Sequence, residues 1–126
     1  MVSRLVNATT VVQSFRFPDG DSVRLHGPDG RTLVKAGNQF IPDGGAIWEM
    51  GTSVNIERKA DADFDKPVPV GAEPANDAYI AVTPHVWPRK DAWVAEKKRT
   101  AKWRDVRAID AVDLEAWLDL APAAKR

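Results

Sequence analysis

The spacing of hydrophobic residues changes near residue 55 of the chain. Before that point, short apolar stretches alternate with turn-forming residues, a pattern typical of antiparallel strands. The triplet Pro-Asp-Gly occurs three times, beginning at Pro18, Pro28 and Pro42. Each triplet favours a turn because proline presets φ and glycine accepts a positive φ. The pattern predicts hairpins that join short strands over residues 15–17, 22–25, 31–35 and 46–51.

After residue 55 the apolar spacing becomes helical. Ile56, Ala60 and Phe64 recur every four residues and so share one helical face. Asn55 directly precedes them and has the side chain of a typical N-cap. We therefore expect a helix over residues 56–66.

The second half of the chain alternates between strand and helix signals. Residues 66–77 contain three prolines and predict a loop. Residues 78–82 are almost wholly apolar and predict a strand that is buried on both faces. A helix is expected over residues 88–100, and residues 106–109 predict a further strand. A strand, helix, strand order implies that the two strands pair in parallel.

A last helix carries its own start and stop signals. Asp110 is its predicted N-cap, Asp113 takes the acidic third position, and Pro122 ends it. The whole order predicts an α/β fold with a mixed central sheet. Antiparallel hairpins come first, a parallel β-α-β unit follows, and about three helices flank the sheet. The length suits a single domain over residues 1–126.

Composition narrows the classes of function. Lysine and arginine number 18, as do aspartate and glutamate, so the formal net charge is zero and no general basic coat for nucleic acid exists. The chain has no cysteine, which excludes disulfides, thiolate metal sites and a cysteine nucleophile. We expect a cytoplasmic protein, because a reducing compartment suits such a chain. No signal peptide or membrane-spanning segment is predicted.

Glu49 is a carboxylate in the middle of an apolar, strand-like run. Strand alternation places Glu49 on one face with Ile47 and Gly51. Burying this charge unpaired would cost several kcal/mol. Two interpretations stay open: an edge-strand glutamate that faces water, or a metal ligand. Asp29, in the turn of the preceding hairpin, is the candidate second ligand, although turn chemistry alone is the stronger explanation of this residue.

Lys59 precedes Asp63 by four residues, the spacing of an ordinary helical salt bridge. Its alternative role is to reach back over the sheet and stabilise the charge that develops on an attacked phosphate, for which Lys35 is a weaker candidate. His26 and His85 have no partner at metal-ligand spacing, so structural or surface roles are favoured. Phosphate-cradling glycine loops and nucleophile-elbow motifs are absent from the sequence.

Positive charge is concentrated in residues 89–107, which hold eight basic and three acidic residues with Trp93 and Trp103 between them. One interpretation is a local surface for a nucleic-acid backbone. The other is a solvated helix whose tryptophans belong to the core. The candidate nucleic-acid-binding residues are Arg89, Lys90, Lys97, Lys98, Lys102 and Arg104.

The Gly-Pro-Asp-Gly turn, the Trp-Glu-Met-Gly-Thr strand and the motif Lys59-Ala60-x-x-Asp63-Phe64 resemble the PD-(D/E)XK, or restriction-endonuclease-like, superfamily. The similarity spans residues 23–123 and is greatest to nuclease-like domains at the N-terminus of large prokaryotic proteins. The resemblance implies that Asp29 and Glu49 hold Mg²⁺ or Mn²⁺, and that a metal-activated water attacks a DNA phosphodiester.

The chain departs from the superfamily pattern at one position. The superfamily lysine lies two residues beyond the acidic residue on the same strand, where this chain has Gly51. Either Lys59 replaces that lysine or catalysis is lost. Three hypotheses follow: a metal-dependent DNA endonuclease, a catalytically inactive nuclease-like module that binds nucleic acid or protein, and a small homodimeric scaffold. The end of the chain also suggests a shortened relative that lacks a partner domain.

Overall fold

The computed structural model of the protein describes residues 12–16, 30–34 and 38–120. The side chains of residues 12–16 and 120 are outside this description, as is the strand predicted over residues 22–25. The described part of the chain contains five strands and three helices, which alternate only after the third strand. They are β1 (Val12–Arg16), β2 (Gly30–Val34), β3 (Gly44–Met50), α1 (Ile56–Phe64), β4 (Ala78–Val82), α2 (Lys90–Arg99), β5 (Asp105–Ile109) and α3 (Ala111–Leu120).

The five strands form one mixed sheet in the order β1-β2-β3-β4-β5. The first three strands pair antiparallel. β3 and β4 pair in parallel, as do β4 and β5, because helices α1 and α2 carry the chain back between them. The predicted α/β class is confirmed, with hairpins first and parallel units second.

Several predicted boundaries move by a few residues. β1 begins at Val12, three residues before the predicted start. α1 ends at Phe64 rather than at residue 66, since Lys66 precedes a proline, which disfavours the helical conformation. Pro88 lies in a turn closed by a hydrogen bond from Lys90 N to Trp87 O of 3.1 Å, so α2 begins at Lys90. β4 matches its prediction at both ends.

One face of the sheet is covered by α3 and by residues 38–43. Trp48 of β3 and Trp117 of α3 stack with their ring centroids 6.0 Å apart, and Phe40 stacks on Trp117 at 5.1 Å. The indole N–H of Trp48 donates to the Thr32 hydroxyl at 3.0 Å. This face is therefore a sealed aromatic core.

The opposite face packs against α1 and α2. Phe64 of α1 meets Tyr79 of β4 edge to face at 5.1 Å, and it meets Trp93 of α2 at 6.0 Å. Ile47 belongs to this cluster, whereas Trp48 belongs to the other. The predicted alternation along β3 is confirmed, and it directs Glu49 towards α1.

A reciprocal capping box begins α3, as predicted. Asp110 Oδ1 accepts hydrogen bonds from the backbone N–H groups of Val112 at 3.1 Å and Asp113 at 3.2 Å. Asp113 Oδ2 accepts one from Asp110 N at 3.1 Å. Asp110 Oδ2 also accepts from Trp87 N at 3.0 Å, which fastens the segment after β4 to the start of α3. The carboxyl ends of β4 and β5 are thereby held together.

Asn55 occupies the N-cap position of α1, but its side chain makes no capping hydrogen bond.

Among the described residues, every helix lacks the combination of length and apolar character that crossing a bilayer requires.

Candidate functional site

Glu49 lies near the carboxyl end of β3, a central strand, and is only 7% exposed. It pairs in register with Ala81 of β4. The interpretation of Glu49 as a water-facing glutamate on an edge strand is therefore wrong, because the strand is flanked on both sides and the residue is buried. Its position suits a site, since ligands of open α/β sheets gather at the carboxyl ends of parallel strands.

Glu49 lines a pocket that opens to solvent between the sheet and α1. Ala60 and Trp87 contribute to its largely apolar wall. Its polar lining residues come from α1 and from segments at or after the ends of β3 and β4, and they are Glu49, Ser53, Lys59, Asp63 and Thr83. Apolar walls around a few converging polar groups are typical of a small-ligand site.

Lys59 meets both oxygens of Asp63, with its ammonium 2.7 Å from Oδ1 and 2.9 Å from Oδ2. The predicted salt bridge within α1 is confirmed. The same lysine lines the Glu49 pocket, so the helical salt bridge does not exclude it from the site.

Gly51 and Lys59 occupy adjoining space. A Cβ atom built on Gly51 would lie 2.9 Å from Lys59 Cγ, closer than real Cβ contacts come. The lysine stem therefore crosses the place where a side chain at position 51 would begin. Gly51 and the path of Lys59 along this pocket are therefore sterically linked.

Asp29, Lys35 and His26 lie outside the described residues. Asp29 is the chain neighbour of Gly30, and Gly30 pairs with Trp48, the residue before Glu49. Among the described residues, no three acidic, histidine or cysteine side chains are grouped so as to hold a metal ion. Glu49 offers the hard oxygen donors that Mg²⁺ prefers, and the described residues supply part of a coordination shell at most.

Three of the six candidate nucleic-acid-binding residues are lysines with buried or partly buried partners. Lys97 is only 12% exposed, and its ammonium lies 2.9 Å from Asp61 and above the rings of Phe64 and Trp93. Lys102 donates to the Phe64 carbonyl at 3.0 Å. Lys90 pairs with Asp113.

The lowered pKa of Asp61 reflects its contact with Lys97. Burial raises the pKa of the Asp61 carboxyl, but hydrogen bonds from Lys97 and from the Trp93 indole more than offset this, so the pKa lies below its ordinary value. The indole bond is 2.9 Å long. Lys97 thus joins α2 to α1.

Arg104 also binds within the chain. Its guanidinium donates to the carbonyls of Asn76 at 2.8 Å and Asp43 at 2.7 Å, and its backbone N–H donates to the Pro74 carbonyl at 2.7 Å. This arginine fastens the loop before β4 to the segments that precede β3 and β5.

Arg89 and Lys98 are the more accessible members of the six. Arg89 is 65% exposed and lies 3.4 Å from Glu57, and Lys98 is 53% exposed and lies 3.4 Å from Asp105. Ion pairs this exposed contribute little and exchange readily with a competing phosphate. Nucleic-acid binding by the six residues stays a prediction, and these two side chains are the most available for it.

His85 has a structural role, in agreement with its sequence context. Its Nε2 lies 2.8 Å from the Thr52 carbonyl and donates to it, because a carbonyl can only accept. Its backbone carbonyl accepts from Ala111 N at 3.0 Å. His85 therefore links the segment after β3 to the start of α3.

The sequence pattern predicts Asp63 only as a salt-bridge partner and does not predict that Thr83 lines the pocket. The spacing from Lys59 to Asp63 was the available signal for the first, and the position of Thr83 directly after β4 was the signal for the second.

Comparisons of this chain with protein-family models, with curated proteins and with solved structures gave no match.

Proposed function

We propose that the protein is a metal-dependent endonuclease that hydrolyses DNA phosphodiester bonds, with Glu49 and Asp29 as ligands of Mg²⁺ or Mn²⁺. One observation carries the proposal: a carboxylate buried at the carboxyl end of a central strand faces a solvent-open pocket that a lysine also lines. A carboxylate in such a place suits a divalent cation, which has a high affinity for hard oxygen ligands.

Asp29 enters the proposal through strand register. Gly30 pairs with Trp48 in the antiparallel β2–β3 ladder, and Asp29 and Glu49 are their respective chain neighbours. Residues that stand opposite each other in such a ladder project from the same face of the sheet. The pairing of Gly30 with Trp48 is thus the reason for proposing Asp29, the residue before Gly30, as the second ligand.

Each residue has a distinct task in the proposed reaction. A bound Mg²⁺ supplies a Lewis acid and lowers the pKa of coordinated water. Glu49 and Asp29 hold and orient the ion, and the apolar wall of the pocket limits competing water. The Lys59 ammonium stabilises the negative charge that develops on the attacked phosphate. Arg89 and Lys98 contact the DNA backbone.

The proposal places the protein in the cytoplasm, which suits a chain without cysteine.

Plasmid cleavage tests the proposed activity. We expect the purified protein with Mg²⁺ or Mn²⁺ to nick supercoiled DNA. We expect Glu49→Gln and Asp29→Asn each to lower the rate by at least about 100-fold, because losing a ligand should cost no less than losing a ligand's outer-shell partner. Glu115→Gln is the matched control, because it removes an exposed carboxylate from α3 on the opposite face of the sheet. Equal cleavage by all four proteins would contradict the proposed site.

The second candidate is a catalytically inactive nuclease-like fold that binds nucleic acid or a partner protein. The Lys59–Asp63 contact favours it, because the ammonium is already engaged by a carboxylate of its own helix. On this alternative, calorimetric titration with Mn²⁺ gives the same absence of heat for the wild type and for Glu49→Gln. Retention on immobilised DNA that falls as salt is raised would then identify nucleic acid as the ligand.

A further inference from the structure

Asp63 is a buried carboxylate of the Glu49 pocket to which the proposed reaction assigns no task. Its side chain is 5% exposed, although it carries a charge. Lys59 donates to both of its oxygens, and the Lys66 ammonium lies 3.0 Å from Oδ1. Two lysines therefore converge on one carboxylate, and the trio carries a net charge of +1.

Lys59 is confined at both ends of its side chain. Its stem crosses Gly51, where a Cβ atom would come within 2.9 Å of Cγ, and its ammonium is held by both oxygens of Asp63. A lysine on a surface helix ordinarily samples many rotamers, since its stem has four flexible carbons. These two contacts select one path for the side chain along the pocket wall.

The ammonium keeps capacity for a further ligand. A lysine ammonium has three N–H donors, and the two Asp63 oxygens account for two of them. The Lys59 side chain is 40% exposed and lines the pocket, so its ammonium can meet a ligand there. A non-bridging phosphate oxygen is an acceptor of the right size and charge for it.

We propose that Asp63 is a positioning residue that holds the Lys59 ammonium at the mouth of the Glu49 pocket, ready for a phosphate oxygen. Lys66 offsets the Asp63 charge, so that Lys59 retains its attraction for an anion. This inference rests on the proposed nuclease function, because the phosphate it invokes is the scissile one. It adds a residue that neither binds metal nor touches the reacting atoms.

The kinetic test compares Asp63→Asn, Asp63→Glu and a matched control, Asp65→Asn, which removes an exposed charge from the end of the same helix. We expect Asp63→Asn to lower the single-turnover cleavage rate by about 10- to 100-fold, the loss that a misplaced catalytic group causes. Mn²⁺ affinity should stay unchanged, and Asp63→Glu should recover part of the rate. In a Lys59→Met background, Asp63→Asn should have no further effect.

A second measurement does not depend on activity. Lys59 is acetylated by acetic anhydride, and its labelling relative to Lys98 is read by mass spectrometry. We expect Asp63→Asn to increase Lys59 labelling several-fold, whereas Asp65→Asn leaves it unchanged. If the wild type cuts no DNA but Asp63→Asn still increases Lys59 labelling, the proposed function is wrong. The inference that Asp63 holds the Lys59 ammonium is then still supported. Equal labelling of Lys59 in the wild type and Asp63→Asn overturns the inference, as does an Asp63→Asn protein that cleaves at the wild-type rate.

Discussion

Gly51 and Lys59 show how one small residue decides the position of a larger one. Position 51, directly after β3, is a glycine, and the Lys59 stem lies against it. A side chain at position 51 and the observed path of Lys59 exclude each other. At the residue scale, the observed position of Lys59 in the pocket therefore requires glycine at position 51.

Gly51→Ala should displace Lys59 from Asp63. The new Cβ atom would meet Lys59 Cγ rather than the flexible end of the side chain, so the stem must move. We expect a loss of about 1 kcal/mol in the free energy of unfolding, at the low end of the cost of overpacking. Urea denaturation measures it.

A double-mutant cycle with Lys59→Ala supplies the control for this prediction. Without the lysine stem, Gly51→Ala should cost much less, because the added methyl group then has space. If the alanine costs the same in both backgrounds, the clash with Lys59 is not the cause of the loss.

At the scale of elements, the capping box of α3 connects three segments through one carboxylate. Asp110 accepts from Val112 and Asp113 at the helix start and from Trp87 in the segment after β4. The motif was readable from sequence, because Asp110 and Asp113 have the capping-box spacing. The third bond was not, since it joins residues that are 23 positions apart.

Asp110→Ala should remove all three of these bonds. We expect the free energy of unfolding to fall by at least about 1–2 kcal/mol, the cost of losing an N-cap, because the buried Trp87 N–H also loses its acceptor. Glu115→Ala on the exposed face of the same helix is the control and should change stability by less than about 0.5 kcal/mol. Thermal or urea unfolding that ranks the two variants equally would refute the tertiary role of Asp110.

The order and type of the elements were largely predictable, because hydrophobic spacing and turn residues act locally. β4 and the face of β3 that carries Glu49 were assigned correctly for this reason. The structural roles of Lys97, Lys102 and Arg104 were not predicted. Their partners Asp61, Phe64 and Asn76 lie 28 to 38 positions away in the sequence and come near only in the folded chain. Three residues of the positively charged cluster therefore bind partners within the chain.

At the scale of the whole molecule, two carboxylates with lowered pKa values make the free energy of unfolding depend on pH. Burial raises the pKa of Asp110, but hydrogen bonds from Trp87 and Asp113 and the charge of Lys90 hold it below its ordinary value. Asp61 has a lowered pKa for similar reasons. A folded-state pKa below the unfolded value means that the stabilisation is present above the unfolded pKa of about 3.9 and is lost as the pH falls through the folded pKa.

Acid unfolding should therefore be less steep in Asp110→Asn than in the wild type. The amide keeps the shape of the side chain and an acceptor oxygen but cannot take up a proton in this range. We expect the two proteins to differ in stability most at about pH 5 and to converge towards about pH 2, measured by urea titration at several pH values. Parallel curves for both proteins would show that the Asp110 carboxylate contributes no pH dependence.

All five tryptophans of the chain are buried, and the sheet divides them into two groups. Trp48 and Trp117 lie on one side, and Trp87, Trp93 and Trp103 lie on the other. Intrinsic fluorescence thus contains two optical reporters, one for each layer. Replacing either group with phenylalanine would isolate the emission of the remaining group and show whether the two layers loosen together or in succession.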